Sequence, residues 1–405
     1  MPIKPRHPCR RWAPLVPLVA ALLPPLAAQA QTDDATPFYV GGSLGASRVS
    51  NVYRQSSAAN NDTVVSAGLL GGIDQKYGRQ HLTIDGSLQN NRYSENRDLD
   101  NRSHSLRGAL NWETVGNLSG VLSAKSDRSL ADFNIGSGVD PITKKNIERE
   151  DQYQALVRLG VATRYTLEGG LTHRRRDFTA SEYDRFDFRQ NAASLGLHAT
   201  PAGNLRLGLT ARRTKGMNPH YPVGLTTEQN DYTRDDFDFT TRWSTGGHST
   251  LSTRVSRSKT ENSLSTRLRD FSGTTGSIGW NWQPTAKLQF NLQYARDTGQ
   301  ESVISAADLN RVYTSWQLGT GYALTSKISL NARASRNRAT RSSTAGTAVS
   351  DALDDFKTYN LGLRWAFTRG SSLGCQYDHA SRNSSVAQYV YSASSYGCTT
   401  QVLFY

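Results

Sequence analysis

Beyond residue 30 the chain has no apolar run approaching the roughly 20 residues of a membrane helix, and no stretch holds an apolar period of about 3.6 for three turns. A helical membrane protein and a helical bundle are both excluded. Apolar residues make up only 37% of the 405, with a mean hydropathy of −0.57, less than a soluble chain of this length needs to fill its core. Cysteine is scarce: Cys9 lies near the start without the small-residue context of a lipoprotein cleavage site, leaving Cys375 and Cys398. The eight histidines are scattered, with no His pair beside the cysteines to hold a metal and no recurring His-Ser-acid spacing. Neither catalytic residues, nor a metal, nor a cofactor is expected. Gly41-Gly42-Ser43-Leu44-Gly45 and Gly136-Ser137-Gly138 are strand and loop glycine usage rather than phosphate cradles.

What is present begins with a leader. Lys4, Arg6, Arg10 and Arg11 precede an apolar stretch from Trp12 to Leu26, and Ala28-Gln29-Ala30 has the small residues of a cleavage site. Residues 1–30 read as a cleaved signal peptide and 31–405 as one barrel domain. Without the leader, 43 basic residues face 34 acidic ones, a net charge of +9. For an exported chain that balance points to lipopolysaccharide or an acidic polymer and away from nucleic acid.

The recurring signal is period 2. Leu82, Ile84, Gly86 and Leu88 alternate with Thr83, Asp85, Ser87 and Gln89, and the pattern returns at Leu106 to Trp112, Ala155 to Val161, Leu205 to Ala211, Leu288 to Tyr294, Ile328 to Ala334 and Tyr359 to Phe367. Short connections such as Thr200-Pro201-Ala202-Gly203, Ser244-Thr245-Gly246-Gly247, Gln283-Pro284-Thr285-Ala286 and Leu324-Thr325-Ser326 alternate with polar loops of roughly 10 to 25 residues, the mark of periplasmic turns and outer loops. The reading is all-β: a single transmembrane antiparallel barrel of about 18 strands (16 to 20 if a hairpin is miscounted), in the outer membrane of a Gram-negative bacterium. Its strands include 62–71, 164–174, 203–213 and 232–243. A soluble sandwich would need large apolar side chains on the faces that here carry Arg, Asn, Gln, Ser, Thr and Asp. Trp112, Trp243, Trp280, Trp282, Trp365 and Phe367 fall beside the short turns, where a periplasmic aromatic girdle belongs. The terminal Val402-Leu403-Phe404-Tyr405 resembles the signal read by the barrel-assembly machinery.

About 18 strands enclose an aqueous lumen. The polar face predicts pore-lining Arg107, Lys125, Arg158, Arg206, Arg254, Arg333 and Arg364, with Arg242 and Lys287 alongside and Asp85, Glu168, Asp236, Asp238 and Asp378 among them. Such arginines either attract anionic sugar chains or pair with the acids to brace the wall. The third outer loop, from Asp127 to Arg149, offers Phe133, Lys144 and Lys145 as constriction candidates. Pairing Cys375 with Cys398 across the last hairpin also pairs Tyr377 with Tyr396, so a cross-strand disulfide is expected.

Several segments in order, Arg128-Ser129-Leu130-Ala131-Asp132-Phe133, Thr200-Pro201-Ala202-Gly203-Asn204, Arg269-Asp270-Phe271-Ser272-Gly273, Trp280-Asn281-Trp282-Gln283-Pro284-Thr285 and Leu324-Thr325-Ser326-Lys327-Ile328-Ser329-Leu330, resemble the EpsL family of outer-membrane barrels of exopolysaccharide operons. The resemblance spans most of the chain after the leader. It implies export, or assistance to export, of an anionic exopolysaccharide together with periplasmic polysaccharide-export proteins, in contact with outer-membrane lipid and lipopolysaccharide. It brings no catalytic residues, and the cysteine pair is not part of it. The alternatives are a general or solute-specific uptake porin, an outer-membrane hydrolase or lipid A modifying enzyme, in which His104, His173 or His379 would meet a serine and an acid, and a scaffold with a plugged lumen.

Overall fold

The computed structural model describes residues 36–57, 59–135, 139–160, 163–223, 226–264, 270–298, 312–340 and 353–405. The proposed leader, the Gly136-Ser137-Gly138 segment and Arg269 lie outside them. The chain forms strands β1 (Phe38–Val49), β2 (Asp62–Tyr77), β3 (Gln80–Tyr93), β4 (Asn101–Glu113), β5 (Leu118–Leu130) and β6 (Ile147–Leu159). It continues with β7 (Tyr165–Phe178), β8 (Phe188–Ala202), β9 (Leu205–Val223), β10 (Thr226–Thr245), β11 (Ser249–Asn262) and β12 (Phe271–Thr285). The last six are β13 (Leu288–Thr298), β14 (Val312–Ala323), β15 (Ile328–Thr340), β16 (Leu353–Ala366), β17 (Ser371–Ser384) and β18 (Tyr391–Phe404).

Each strand pairs antiparallel with its sequence neighbours. β1 closes the wall by pairing with both β2 and β18, from Val40 opposite Phe404 to Val49 opposite Ser395. Closure leaves no edge, so every ladder amide finds a partner inside hydrocarbon. Both ends of the described chain lie with the short turns. The β10–β11 turn is made by Gly246 and Gly247, whose φ of 52° and 83° fit the tight hairpin whose right-handed twist matches its strands. At Gly120 a Cβ would stand 2.5 Å from the Trp112 ring, so the missing side chain lets the girdle tryptophan lie flat across the neighbouring strand.

The pleat sorts side chains by parity. Leu69, Leu171 and Leu195 are 64%, 64% and 60% exposed, a placement that makes sense only against lipid. Trp280 stacks on Trp282 at 5.4 Å and Trp282 on Phe290 at 5.5 Å, next to the short turns. One hairpin runs beyond the apolar alternation: β9 extends past 213 and β10 begins before 232, where a loop is expected. There the ladder continues because buried Asn218, Asn230 and Asn262 join across the strands, with Asn230 donating to Asn218 at 3.4 Å and to Asn262 at 3.1 Å. The third loop is shorter than the expected span from Asp127 to Arg149, occupying 131–146, because polar β5 and β6 remain paired up to Leu130 and Ile147.

Candidate functional site: the lumen and its capped mouth

Parity places Arg107, Lys125, Arg158, Arg206, Arg254, Arg333 and Arg364 on the side opposite the lipid-facing Leu106, Leu122, Val157, Leu207, Val255, Ala332 and Leu363. Arg107, Lys125, Arg254 and Arg333 lie near mid-strand; Arg158, Arg206 and Arg364 lie next to the periplasmic turns. Most are tied to acids. Lys125 reaches Asp127 at 2.9 Å and Glu150 at 3.0 Å, Arg158 reaches Glu168 at 2.8 Å, Arg206 lies 3.8 Å from Glu168, and Arg254 bonds Asp297 and lies 3.5 Å from Asp238. Arg107, opposite Asp85 and Lys125 in register, and Arg333, exposed to the lumen, make no ion pair among the described residues. Of the remaining acids, Asp378 accepts from Asn360 and Gln376. Lys287 sits in the β12–β13 turn and not on the wall, since β12 ends at Thr285 and β13 starts at Leu288.

Two clusters extend the predicted set. Arg174 and Arg176 face inward over the Phe188 ring at 5.5 and 5.2 Å, bonded to Glu150 at 2.9 Å and Glu148 at 3.3 Å. Arg234 is fully buried, donating to Asp236 at 2.9 Å, Asp297 at 2.9 Å and Ser258 at 3.3 Å, while Arg212 meets Asp236 at 2.8 Å. A guanidinium so far from water is tolerable only because two carboxylates and hydroxyl groups satisfy it.

The outer mouth holds an apolar cap. Val52, Tyr53, Leu99, Phe133, Val139, Ile142, Tyr183 and Phe186 come from four successive outer loops and pack into one core with Phe178. The third loop then crosses the lumen side. Asn134 donates its side-chain amide to the Arg54 carbonyl at 2.8 Å, its own carbonyl accepts from inward-facing Arg382 at 3.3 Å, and Asp140 accepts from Gln388 in the last loop. Arg54 lies over the Tyr391 ring at 5.5 Å and pairs with Asp132 at 3.3 Å; burial works against its charge, but Asp132, Tyr391 and Asp378 outweigh it and raise the guanidinium pKa. The Tyr183 hydroxyl donates to the Asp132 carbonyl at 2.6 Å, and burial raises its pKa. Asp187 accepts from the Phe178 amide at 2.8 Å; burial is the largest of the effects that push its carboxyl up to about 7, with Asp177 and Asp184 adding to it.

The expected constriction residues of the third loop lie in this cap or in its ties to neighbouring loops. Phe133 is 4% exposed, edge-on to Tyr53 at 5.1 Å, so its ring anchors the cap and does not project into a passage. Lys144 pairs with Glu182 at 2.8 Å, which lowers the Glu182 pKa, and Lys145 donates to the Asp100 carbonyl; both tie the third loop to its neighbours.

A hydrolytic constellation is not assembled at the three histidines. His104, His173 and His379 all sit on the lipid-side parity. His104 lies 3.4 Å from Ser126, but that hydroxyl donates to Asp151 at 2.6 Å, so the serine stands between histidine and acid and the imidazole has no acid to orient it. His173 meets Asn191 at 2.8 Å and His379 meets Ser394 at 2.9 Å. Cys375 and Cys398 are directly opposite in the β17–β18 register and form a disulfide with Cα atoms 4.1 Å apart, with Tyr377 opposite Tyr396 one pleat further on.

No family model matches the sequence. No curated protein matches it. Among solved structures the chain is similar to the outer membrane protein opdK of Pseudomonas aeruginosa, with 11% identity over 91% of this chain and 98% of that one, and a TM-score of 0.47. It is similar to Pseudomonas aeruginosa OccK2 (OpdF) in complex with glucuronate at 12% identity over 91% and 97%, TM-score 0.46. Acinetobacter baumannii OccAB3 gives 10% identity over 91% and 99%, TM-score 0.45. At these identities the likeness is one of barrel architecture.

Proposed function

We propose that this outer-membrane β-barrel, closed by 18 strands, apolar outside and polar inside, is a passive, solute-selective channel that admits small anionic hydrophilic molecules. The observation that carries this reading is the cap: the first four outer loops pack into one apolar core at the mouth, and the third is tethered to the first loop and to β17, about a third of the way round the wall, so that the mouth is narrowed. A narrowed mouth suits a small solute better than a polymer. The preference for anions rests on Arg107 and Arg333, basic groups near mid-strand that make no ion pair among the described residues.

Passage of an acidic exopolysaccharide is the second reading, favoured by the order of the EpsL-like segments. Those segments fall mainly at strand ends and turns, such as the β8–β9 and β14–β15 connections. The test is single-channel recording of the refolded barrel in a planar bilayer, comparing wild type with Arg107→Glu/Arg333→Glu. An anion-over-cation permeability ratio above one that falls below one in the variant supports the proposal. Block by micromolar acidic polysaccharide but not by glucuronate would favour the polymer, and a silent barrel would sink both.

A further inference from the structure

On the outside of the barrel, at its loop end, a groove of about 280 Å³ is lined by His104, Arg128, Arg149, Arg175 and Asp177. These side chains share the parity of lipid-facing Leu106, Leu122, Val157 and Leu171, and no register break interrupts β4 to β7. Register puts His104 opposite Arg128 and Arg128 opposite Arg149, so two guanidinium groups are directly opposed next to an imidazole. Like charges directly opposite each other destabilise a strand pair, and an anion seated between them relieves that repulsion. The acids nearby are already engaged, Asp151 by Arg149 at 2.9 Å and by Ser126, and Asp177 by Arg175. Arg128 has no ion pair among the described residues.

The height of the groove identifies its occupant. Ten residues separate Leu159, at the periplasmic end of β6, from Arg149. At about 3.3 Å per residue and a tilt of roughly 40° that is about 25 Å, the height of the whole apolar band. The groove therefore stands at the outer-leaflet headgroups. Below it, Tyr153 (52% exposed), Leu171 and Leu106 offer an apolar track on the same face.

We propose that this groove binds the phosphorylated sugar headgroup of an outer-leaflet glycolipid, with Arg128 and Arg149 donating to one phosphate and the acyl chains lying along the track beneath. A free anion would have no use for the track.

The test is native mass spectrometry of the detergent-solubilised barrel titrated with bisphosphorylated lipid A, dephosphorylated lipid A or inorganic phosphate. Wild type is expected to bind the bisphosphorylated lipid at least about tenfold more tightly than the dephosphorylated one, the yield of one charge-assisted contact. Arg128→Gln/Arg149→Gln should lose that preference, while Arg257→Gln, on the outer face of β11, should retain it. If the double variant does not refold, Arg128→Gln alone, which gives up no internal ion pair, serves the same purpose. An undiminished preference in the variant overturns the site, and inorganic phosphate binding as tightly as the lipid overturns the glycolipid assignment.

Discussion

Truncating Phe133 to alanine should open the mouth without unfolding the wall. Phe133 is 4% exposed, packs edge-on against Tyr53, and belongs to a core built wholly of loop residues and strand ends. Removing a buried phenyl ring costs about 3–5 kcal/mol. The cost falls on the cap, since the ladder of 18 strands makes no use of the ring. At about 1.4 kcal/mol per factor of ten, the open-to-closed ratio of the cap rises by roughly 10² or more. The polar tethers through Asn134 and Tyr183, each worth about 1 kcal/mol net, are too weak to offset that loss. Single-channel recording should then show a larger mean conductance and fewer closures, with Phe133→Leu nearer to wild type because it retains most of the buried volume. Protease cleavage within 131–146 reports independently that the loop has been released. A released loop with an unchanged conductance would refute the argument that the cap narrows the path.

Ionisation of Asp187 should loosen the fourth loop. Its folded pKa of about 7 lies above the ordinary carboxyl value of about 3.9, so its contribution is fully present below about pH 4 and is lost as pH rises through about 7. Hydrogen exchange at the Phe178 amide, corrected for intrinsic rate, should accelerate above pH 7, and Asp187→Asn should abolish that step. Removing the disulfide through Cys375→Ser/Cys398→Ser should lower barrel stability by about 2–3 kcal/mol, read as a lower urea midpoint under oxidising conditions and no difference from wild type under reducing ones. Asp297→Asn withdraws a carboxylate from both Arg234 and Arg254 and should cost about 3–5 kcal/mol, whereas Asp235→Asn, exposed on the outer face, should cost under about 1 kcal/mol in the same titration.

The barrel was legible because hydrocarbon imposes a strict alternation. Wherever Leu, Val and Trp recur at every second position, as in Leu288 to Tyr294 or Tyr359 to Leu363, strand and facing follow directly. The signal stops where the membrane stops. Above the apolar band both faces of a strand are polar, so β7 continues through Arg174, Arg175, Arg176 and Asp177 with no change of hydropathy to mark inside from outside. Parity carried upward from Leu171 separates them: Arg174 and Arg176 go to the lumen, Arg175 and Asp177 to the lipid side. The same extension would have recovered β9 and β10, whose upper halves are held by asparagine pairs.

The cap could not be read in this way, for a different reason. Val52, Leu99, Phe133 and Tyr183 are single apolar residues in separate loops, without a period, and only the closed wall brings the loop ends together. What joins them is the circumference: the third loop reaches Tyr389 and Arg382 because β18 pairs back onto β1. The lumen charges follow the same logic. Glu150 serves Lys125 on one neighbouring strand and Arg174 on the other, and Glu168 serves Arg158 and Arg206 on different strands, so their pairing is a property of register and not of local sequence. Bracing therefore engages most of the basic residues expected on the lumen wall. Arg107 and Arg333, which make no ion pair among the described residues, are left to give the lumen its sign, which is why charge reversal at those two positions should act on selectivity while the wall around them stays paired.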